Sequence, residues 1–249
     1  MWIVDACAVV HDCWHLLQPD EIQRARQIQV NVARDEFVAG RGVLRWLLAR
    51  EAGCDPQDVR LSAGVHGKLS IEDARIEFNV AHSKGVVLIA LSRAGAVGID
   101  VEHVDRQVEA LDVARSSFHA DEVARLEQTA EGELAPAFYR CWTRKEAVVK
   151  ADGCGLMLPL NSFTVGMEEG SVAEEVARLG AGSGSHLANQ TSYYVRDLRV
   201  GDGLVAALAL TRPEVRVAIH KFVGFSGLNR EDPRSRLLRQ ASVLHPVTT

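Results

Sequence analysis

The chain has no long hydrophobic run. Its longest apolar stretches, around Val86–Leu91 and Leu204–Leu210, fall far short of the ~18 residues of a membrane-spanning helix. It opens on Asp5, His11 and Asp12 with no basic segment leading into an apolar one, so no secretory leader is expected. The five cysteines (Cys7, Cys13, Cys54, Cys141, Cys154) are odd in number and form no CxxC pair. That points to reduced thiols in a cytoplasmic protein and away from zinc or a disulfide framework. A positive charge balance is also missing: the net charge is −5, which argues against a general nucleic-acid binder held by phosphate contacts. The glycine-rich stretch Gly180–Ser185 lacks a strand–GxGxxG–helix context, so it reads as a loop and not as a dinucleotide cradle.

What is there is globular. The 249 residues are 47% hydrophobic and 24% charged, enough for one large domain or two small lobes. A chain of this size buries on the order of 70–75% of its unfolded surface without help from a disulfide or structural metal. Charge is uneven: residues 212–249 carry seven Lys/Arg against three acids, a +4 tail on an otherwise acidic chain. Such a tail reads as solvated and partly disordered.

Periodicity predicts a polar stretch after Pro19-Asp20 that becomes helical by about Arg34, then a helix whose apolar positions recur from Phe37 to Ala52 and which Gly53 closes. A turn-rich loop around Gly64, Gly67 and Ser70 follows. Ile76–Val80, Val86–Leu91 and Val97–Glu102 read as strands, divided at Lys84-Gly85 and Ala94-Gly95. Helices are predicted over Asp112–Ser117, Ala120–Thr129 and Leu134–Ala151, the last closed by Gly153–Gly155, and strands over Ser162–Val165, Ser192–Leu198 and Leu204–Leu210. No repeat is visible in the sequence. The class is α+β. The expected division is an N-terminal lobe over 1–104, a C-terminal lobe over 105–211 and the basic tail.

Three clusters could carry chemistry. In Gly98-Ile99-Asp100-Val101-Glu102, the strand period places Asp100 and Glu102 on one face and Ile99 and Val101 on the other. Paired carboxylates repel, and a hard cation such as Mg2+ is their natural partner. An isolated Asp-x-Glu is most often a solvated strand end. In Cys141–Lys150, Glu146 and Lys150 share a helix face, with Lys145 about 100° away. An exposed pair of this kind contributes only ~0.3–0.5 kcal/mol. Among Trp142, Ala147, Val148 and Val149 it is placed to supply a metal carboxylate, a general base and a cation for phosphate. Phe78–Ser83 carries His82, and Gly67-Lys68, Arg34 and Arg41 add cations that favour phosphate oxygens.

In order, Gly67-Lys68, Phe78-Asn-Val-Ala-His82-Ser83, Gly98-Ile-Asp100-Val-Glu102 and Trp142-x-x-Lys145-Glu146-x-x-x-Lys150-x-x-Gly153-x-Gly155-Leu156, continued by Leu158-Pro159-Leu160-x-Ser162-Phe163, resemble a known family. It is that of the two-lobed 4′-phosphopantetheinyl transferases, the type that activates surfactin synthetase, and the resemblance runs from about residue 20 to 211. It implies two similar α+β lobes, a pseudo-dimer, with the active site in the cleft between them. The implied activity is transfer of the phosphopantetheine arm of coenzyme A to a serine of an apo acyl or peptidyl carrier protein, leaving 3′,5′-ADP. Carried over, Asp100, Glu102 and Glu146 would hold Mg2+, and Glu146 would take the serine proton. Lys150 would stabilise charge on the leaving phosphate or protonate it. Lys68 and His82, with Arg34, Arg41 and Lys145, would bind the cofactor's phosphates. A cytoplasmic monomer without nucleic-acid or membrane partners is expected. Two positions depart from the family's habit, Ala81 where Ser is usual and Leu69 where Pro is usual. A non-catalytic coenzyme A or carrier-binding module, and a metal-dependent nuclease, are the rival readings.

Overall fold

The computed structural model describes residues 1–71, 76–168, 174–176 and 192–225. The chain opens with a strand, β1 (Trp2–Asp5), and a helix, α1 (Ala6–Cys13), where the sequence had given no expectation. The polar stretch is already helical from its proline: α2 runs Pro19–Gln27, with Pro19 in the first turn and Glu21 closing a capping box on Gln18. After a short break comes α3 (Asn31–Ala52), ended by Gly53 in the left-handed conformation. The glycine-rich loop holds a small hairpin, β2 (Leu61–Ala63) and β3 (Leu69–Ile71).

Strands β4 (Glu77–Ser83) and β5 (Val86–Ser92) form a hairpin in register from Glu77↔Ser92 to Ser83↔Val86. Its two-residue loop, Lys84-Gly85, has positive φ at both positions (44° and 90°), the geometry that matches strand twist. The second half comprises β6 (Val97–His103), α4 (Ala110–Ser117), α5 (Ala120–Glu127), α6 (Glu131–Asp152), β7 (Glu174–Val176), β8 (Tyr193–Leu198), β9 (Leu204–Leu210) and β10 (His220–Phe222). The class is mixed α and β, as the sequence predicts.

Two four-stranded sheets result, ordered β10-β1-β5-β4 and β6-β9-β8-β7. Strands β1, β5 and β4 are antiparallel neighbours, and β6, β9 and β8 repeat that order. A long helix backs each sheet, α3 on the first and α6 on the second. The expected division at residue 104 leaves β6 with the first lobe, whereas its ladder is with β9, so the second sheet begins at Val97. The expected tail is likewise not all tail. His220–Phe222 pairs parallel with β1, and Phe222 packs edge-on against Trp46 of α3. Gly180–Ser185 and residues 226–249 lie outside the described residues.

Each long helix carries a buried cation at the same distance before its closing glycine. Arg45 pairs with Glu21 at 2.7 and 3.1 Å and donates to the carbonyls of Val59 and Pro56. Lys145 pairs with Glu122 at 2.7 Å and donates to the carbonyls of Leu160 and Phe163. Each glutamate also accepts the backbone N–H of the residue capping its own helix, Gln18 or His119. These networks pin the chain after each helix to the helix before it. They also explain why no strand forms over Ser162–Val165. The carbonyls of Leu160 and Phe163 serve an ammonium instead of a ladder, and Leu160–Ser162 is a 3-10 turn.

Candidate active site

Strand β6 is the edge of its sheet and lies beside β4, the edge of the other. Side chains stitch the two edges. Asn79 Oδ1 accepts the N–H of Ile99 at 2.9 Å. Ser83 Oγ accepts that of His103 at 3.1 Å and donates to Glu102 at 3.3 Å. Between them Ala81 is buried in the apolar cluster that holds Ile99, Val101 and Leu208. The methyl group at this position is therefore a core contact between the sheets.

The other face of β6 meets α6. At Gly98 the approach is so close that a Cβ there would fall within 3.0 Å of Ala147 O, Ala151 N and the carbonyl carbon of Lys150. Only glycine permits this packing. One strand period further on, Asp100 faces the same helix. Its Oδ1 accepts from Lys150 Nζ at 2.6 Å, while its Oδ2 is buried with no hydrogen-bond partner among the described residues. The alternation predicted from sequence holds: Ile99 and Val101 are in the core, and Glu102 stands next along the strand on the side of Asp100.

Electrostatics tie the three carboxyl groups together. Burial pushes Asp100 up, opposed by the Lys150 ammonium. Burial and then the Asp100 charge raise Glu102, with Glu146 adding to the effect and the Ser83 hydroxyl opposing it. Glu146 is raised by burial and by Asp100, and Lys150 opposes. The acids are near enough to repel and share one cation, which is the environment a divalent ion relieves. Among the described residues, no three His, Cys, Asp or Glu side chains stand as a ready metal cluster.

A cleft of about 730 Å³ opens on this junction, lined on its polar side by Lys68, Asn79, Glu146 and Lys150 and on its apolar side by Trp142 and Leu158. Glu146 and Lys150 thus share the face their spacing predicts. Lys68 comes from the β2–β3 hairpin, and its Nζ donates to Ala151 O at the C-terminal end of α6, 2.9 Å away. Its aliphatic chain fits over Gly153, where a Cβ would lie 3.1 Å from Lys68 Cδ. Burial lowers the Lys68 pKa, while Glu77 and Asp152 raise it.

Three expected cofactor residues are placed elsewhere. Lys145 is fully buried with Glu122 and two carbonyls, so its ammonium is spent on the fold and cannot reach a ligand. Arg34 lines a separate cavity beside α1, with Arg26 and His11. Arg41 is held by Glu21 at 3.2 Å and lies over the Phe37 ring. His82 pairs through Nδ1 with the buried Glu36 of α3 at 2.9 Å, and the other Glu36 oxygen takes the N–H of Gly85. Sequence reasoning assigned nothing to Glu36, since one acid on an otherwise amphipathic helix gives no signal. Asn79 and Ser83 were in the quoted motif but had no role. Their alternation with Ala81 on β4 was the available clue.

Residues 96–209 match the model of the 4′-phosphopantetheinyl transferase superfamily. The individual likeness is to the Sfp type: the 4′-phosphopantetheinyl transferase Sfp of Bacillus subtilis is 27% identical over 200 residues, 80% of this chain and 84% of Sfp. The 4′-phosphopantetheinyl transferase HetI of Nostoc is 32% identical over 144 residues, 56% of this chain and 61% of HetI. A Synechocystis protein provisionally named for the same activity is 36% identical over 149 residues, 59% of this chain and 61% of its own length. The match thus spans about three fifths of these last two relatives.

Proposed function

We propose that the protein transfers the 4′-phosphopantetheine arm of coenzyme A to a serine of an apo carrier protein, with release of 3′,5′-ADP. The repeated strand order in the two sheets supports a two-lobed pseudo-dimer dividing just before β6, with the active site in the cleft where β4, β6 and α6 meet. The observation that carries the reading is the acidic pair across from a lysine at that junction: Asp100 bound to Lys150, with a buried oxygen left over.

The residues fit a divalent cation. The unpartnered Asp100 Oδ2 and the raised carboxyls of Glu102 and Glu146 are hard oxygen donors short of a counter-charge. Asp100, Glu102 and Glu146 would hold Mg2+, with phosphate oxygens completing its shell. When bound, it would neutralise charge on the pyrophosphate. In the transfer itself the serine oxygen attacks the β-phosphorus, a new P–O bond forms, and the bond to the 3′,5′-ADP oxygen breaks. Glu146, in the lining of the cleft, accepts the serine proton. Lys150 and Lys68 place positive charge on the phosphates, and His82, held by Glu36, adds a further donor. The apolar wall at Trp142 and Leu158 suits the pantetheine chain or the carrier.

The test is incubation of the purified chain with coenzyme A, Mg2+ and a panel of apo fatty-acid, polyketide and peptide carriers, read by intact mass. The expected result is a carrier heavier by one phosphopantetheine and an equal amount of 3′,5′-ADP. No mass gain on any carrier would favour a non-catalytic binding module.

A further inference from the structure

Lys150 has a position that its role toward phosphate does not by itself require. Its ammonium is bound to Asp100 at 2.6 Å and partly shielded from water. Asp100 is the most buried of the three site carboxylates, so its charge is the one most in need of a counter-ion. Lys150 and a divalent cation would both draw on that carboxylate: the lysine takes Oδ1, and Oδ2 is the remaining oxygen.

Resting on the transferase reading, we propose that Lys150 is an internal competitor that holds the metal site closed until coenzyme A arrives. Two positive groups drawn to one carboxylate repel each other, all the more where water is partly excluded. A metal ion entering alone meets a site whose most buried acid already holds one cation. Arrival of a pyrophosphate changes the balance. Its oxygens offer Lys150 another partner across the cleft the lysine already lines, and Asp100 is released. Metal and coenzyme A then bind with positive coupling, and part of that coupling runs through one side chain. The arrangement disfavours a metal-loaded enzyme without its co-substrate.

The experiment measures Mn2+ binding to the whole chain by electron paramagnetic resonance, with and without coenzyme A and with no carrier present. Wild type should bind Mn2+ weakly alone and much more tightly with coenzyme A. Lys150→Met keeps the length and removes the charge. It should bind Mn2+ alone on the order of tenfold more tightly, and coenzyme A should then improve binding less than in wild type. Lys150→Arg, which retains the charge, should stay weak, and it serves as the decisive comparison if the methionine variant does not fold. Three results would overturn the proposal: unchanged or weaker Mn2+ binding in Lys150→Met, tight Mn2+ binding alone in Lys150→Arg, or an undiminished coenzyme A effect in Lys150→Met. Failure of carrier modification would leave these binding results intact, so the two readings fail separately.

Discussion

Replacing Gly98 by alanine tests the central contact of the site with one methyl group. In the structure that methyl would lie within 3.0 Å of three backbone atoms of α6, whereas ordinary contacts start at 3.4 Å. Backbone atoms of a helix cannot rotate away as a side-chain tip can, so α6 must back off from β6 as a body until the approach to Ala147 O opens toward 3.4 Å. Overpacking of this kind costs about 1–3 kcal/mol, and the rigidity of both partners puts Gly98→Ala at the upper end. The same displacement stretches the 2.6 Å Lys150–Asp100 contact and moves Glu146 relative to β6. Misplacement by about 1 Å can lower a rate by about 10²-fold. Urea unfolding and carrier-modification rates on one preparation check both effects. Gly132→Ala is the control, because nothing lies within 4 Å of its Cβ position at the start of α6. That control should be neutral or stabilising by up to about 1 kcal/mol. A Gly98→Ala protein with wild-type midpoint and wild-type rate would refute the claim that this close approach sets the site.

Lys145→Met should cost about 3–5 kcal/mol, since it leaves Glu122 buried and unpaired; a small change in urea midpoint would restore Lys145 as a candidate ligand contact. Glu146→Gln should stay folded and lose about 10²–10⁴ in turnover, and near wild-type turnover would remove it as the base. Without a bound cation, burial and the Asp100 charge raise Glu146 from its usual 4.5. The same sign makes ionisation of the carboxyl trio cost the folded state stability: the loss is full above the folded pKa values and is relieved as pH falls toward the ordinary ones. Added Mg2+ should therefore raise Tm more at pH 7.5 than at pH 5, and an equal rise at both would contradict this account. Ending the chain before Arg216 strips β10 from β1 and Phe222 from Trp46 and should lower Tm by several degrees, and an unchanged Tm would show that this pairing does not support the first sheet.

How far the sequence could be read depended on whether a signal was local. The Lys84-Gly85 hairpin, the closing glycines of α3 and α6 and the alternation through Ile99, Asp100, Val101 and Glu102 are short-range patterns, and each appears as expected. What failed was partner choice. Val97–His103 looks like a third strand after β5, yet it pairs with β9, more than a hundred residues later. Lys145 stands in a motif beside Glu146 and was grouped with it, although one helical step of about 100° turns it from the cleft into the core. The short strand β1 is three apolar residues and an aspartate without turn signals, and β10 is hidden in a basic tail. Neither has meaning apart from the other and from β5.

On the two-lobe reading, the same architecture bears on why the proposed site stands on the second long helix. Measured from the closing glycines, Trp46 and Arg50 of α3 stand where Glu146 and Lys150 stand on α6. In the first pair, Trp46 packs on Phe222 and Phe225 of the C-terminal segment, and Arg50 lies over the Trp46 ring at 4.8 Å. The second pair faces a cleft and reaches Asp100. Yet both helices keep a buried cation bound to a capping glutamate, because that contact joins helix to helix whatever the opposite face does. A framework of this kind separates the residues that hold a lobe together from those that face its neighbour. The second set was therefore free to become an aromatic plug in one lobe and an acidic, lysine-gated site in the other.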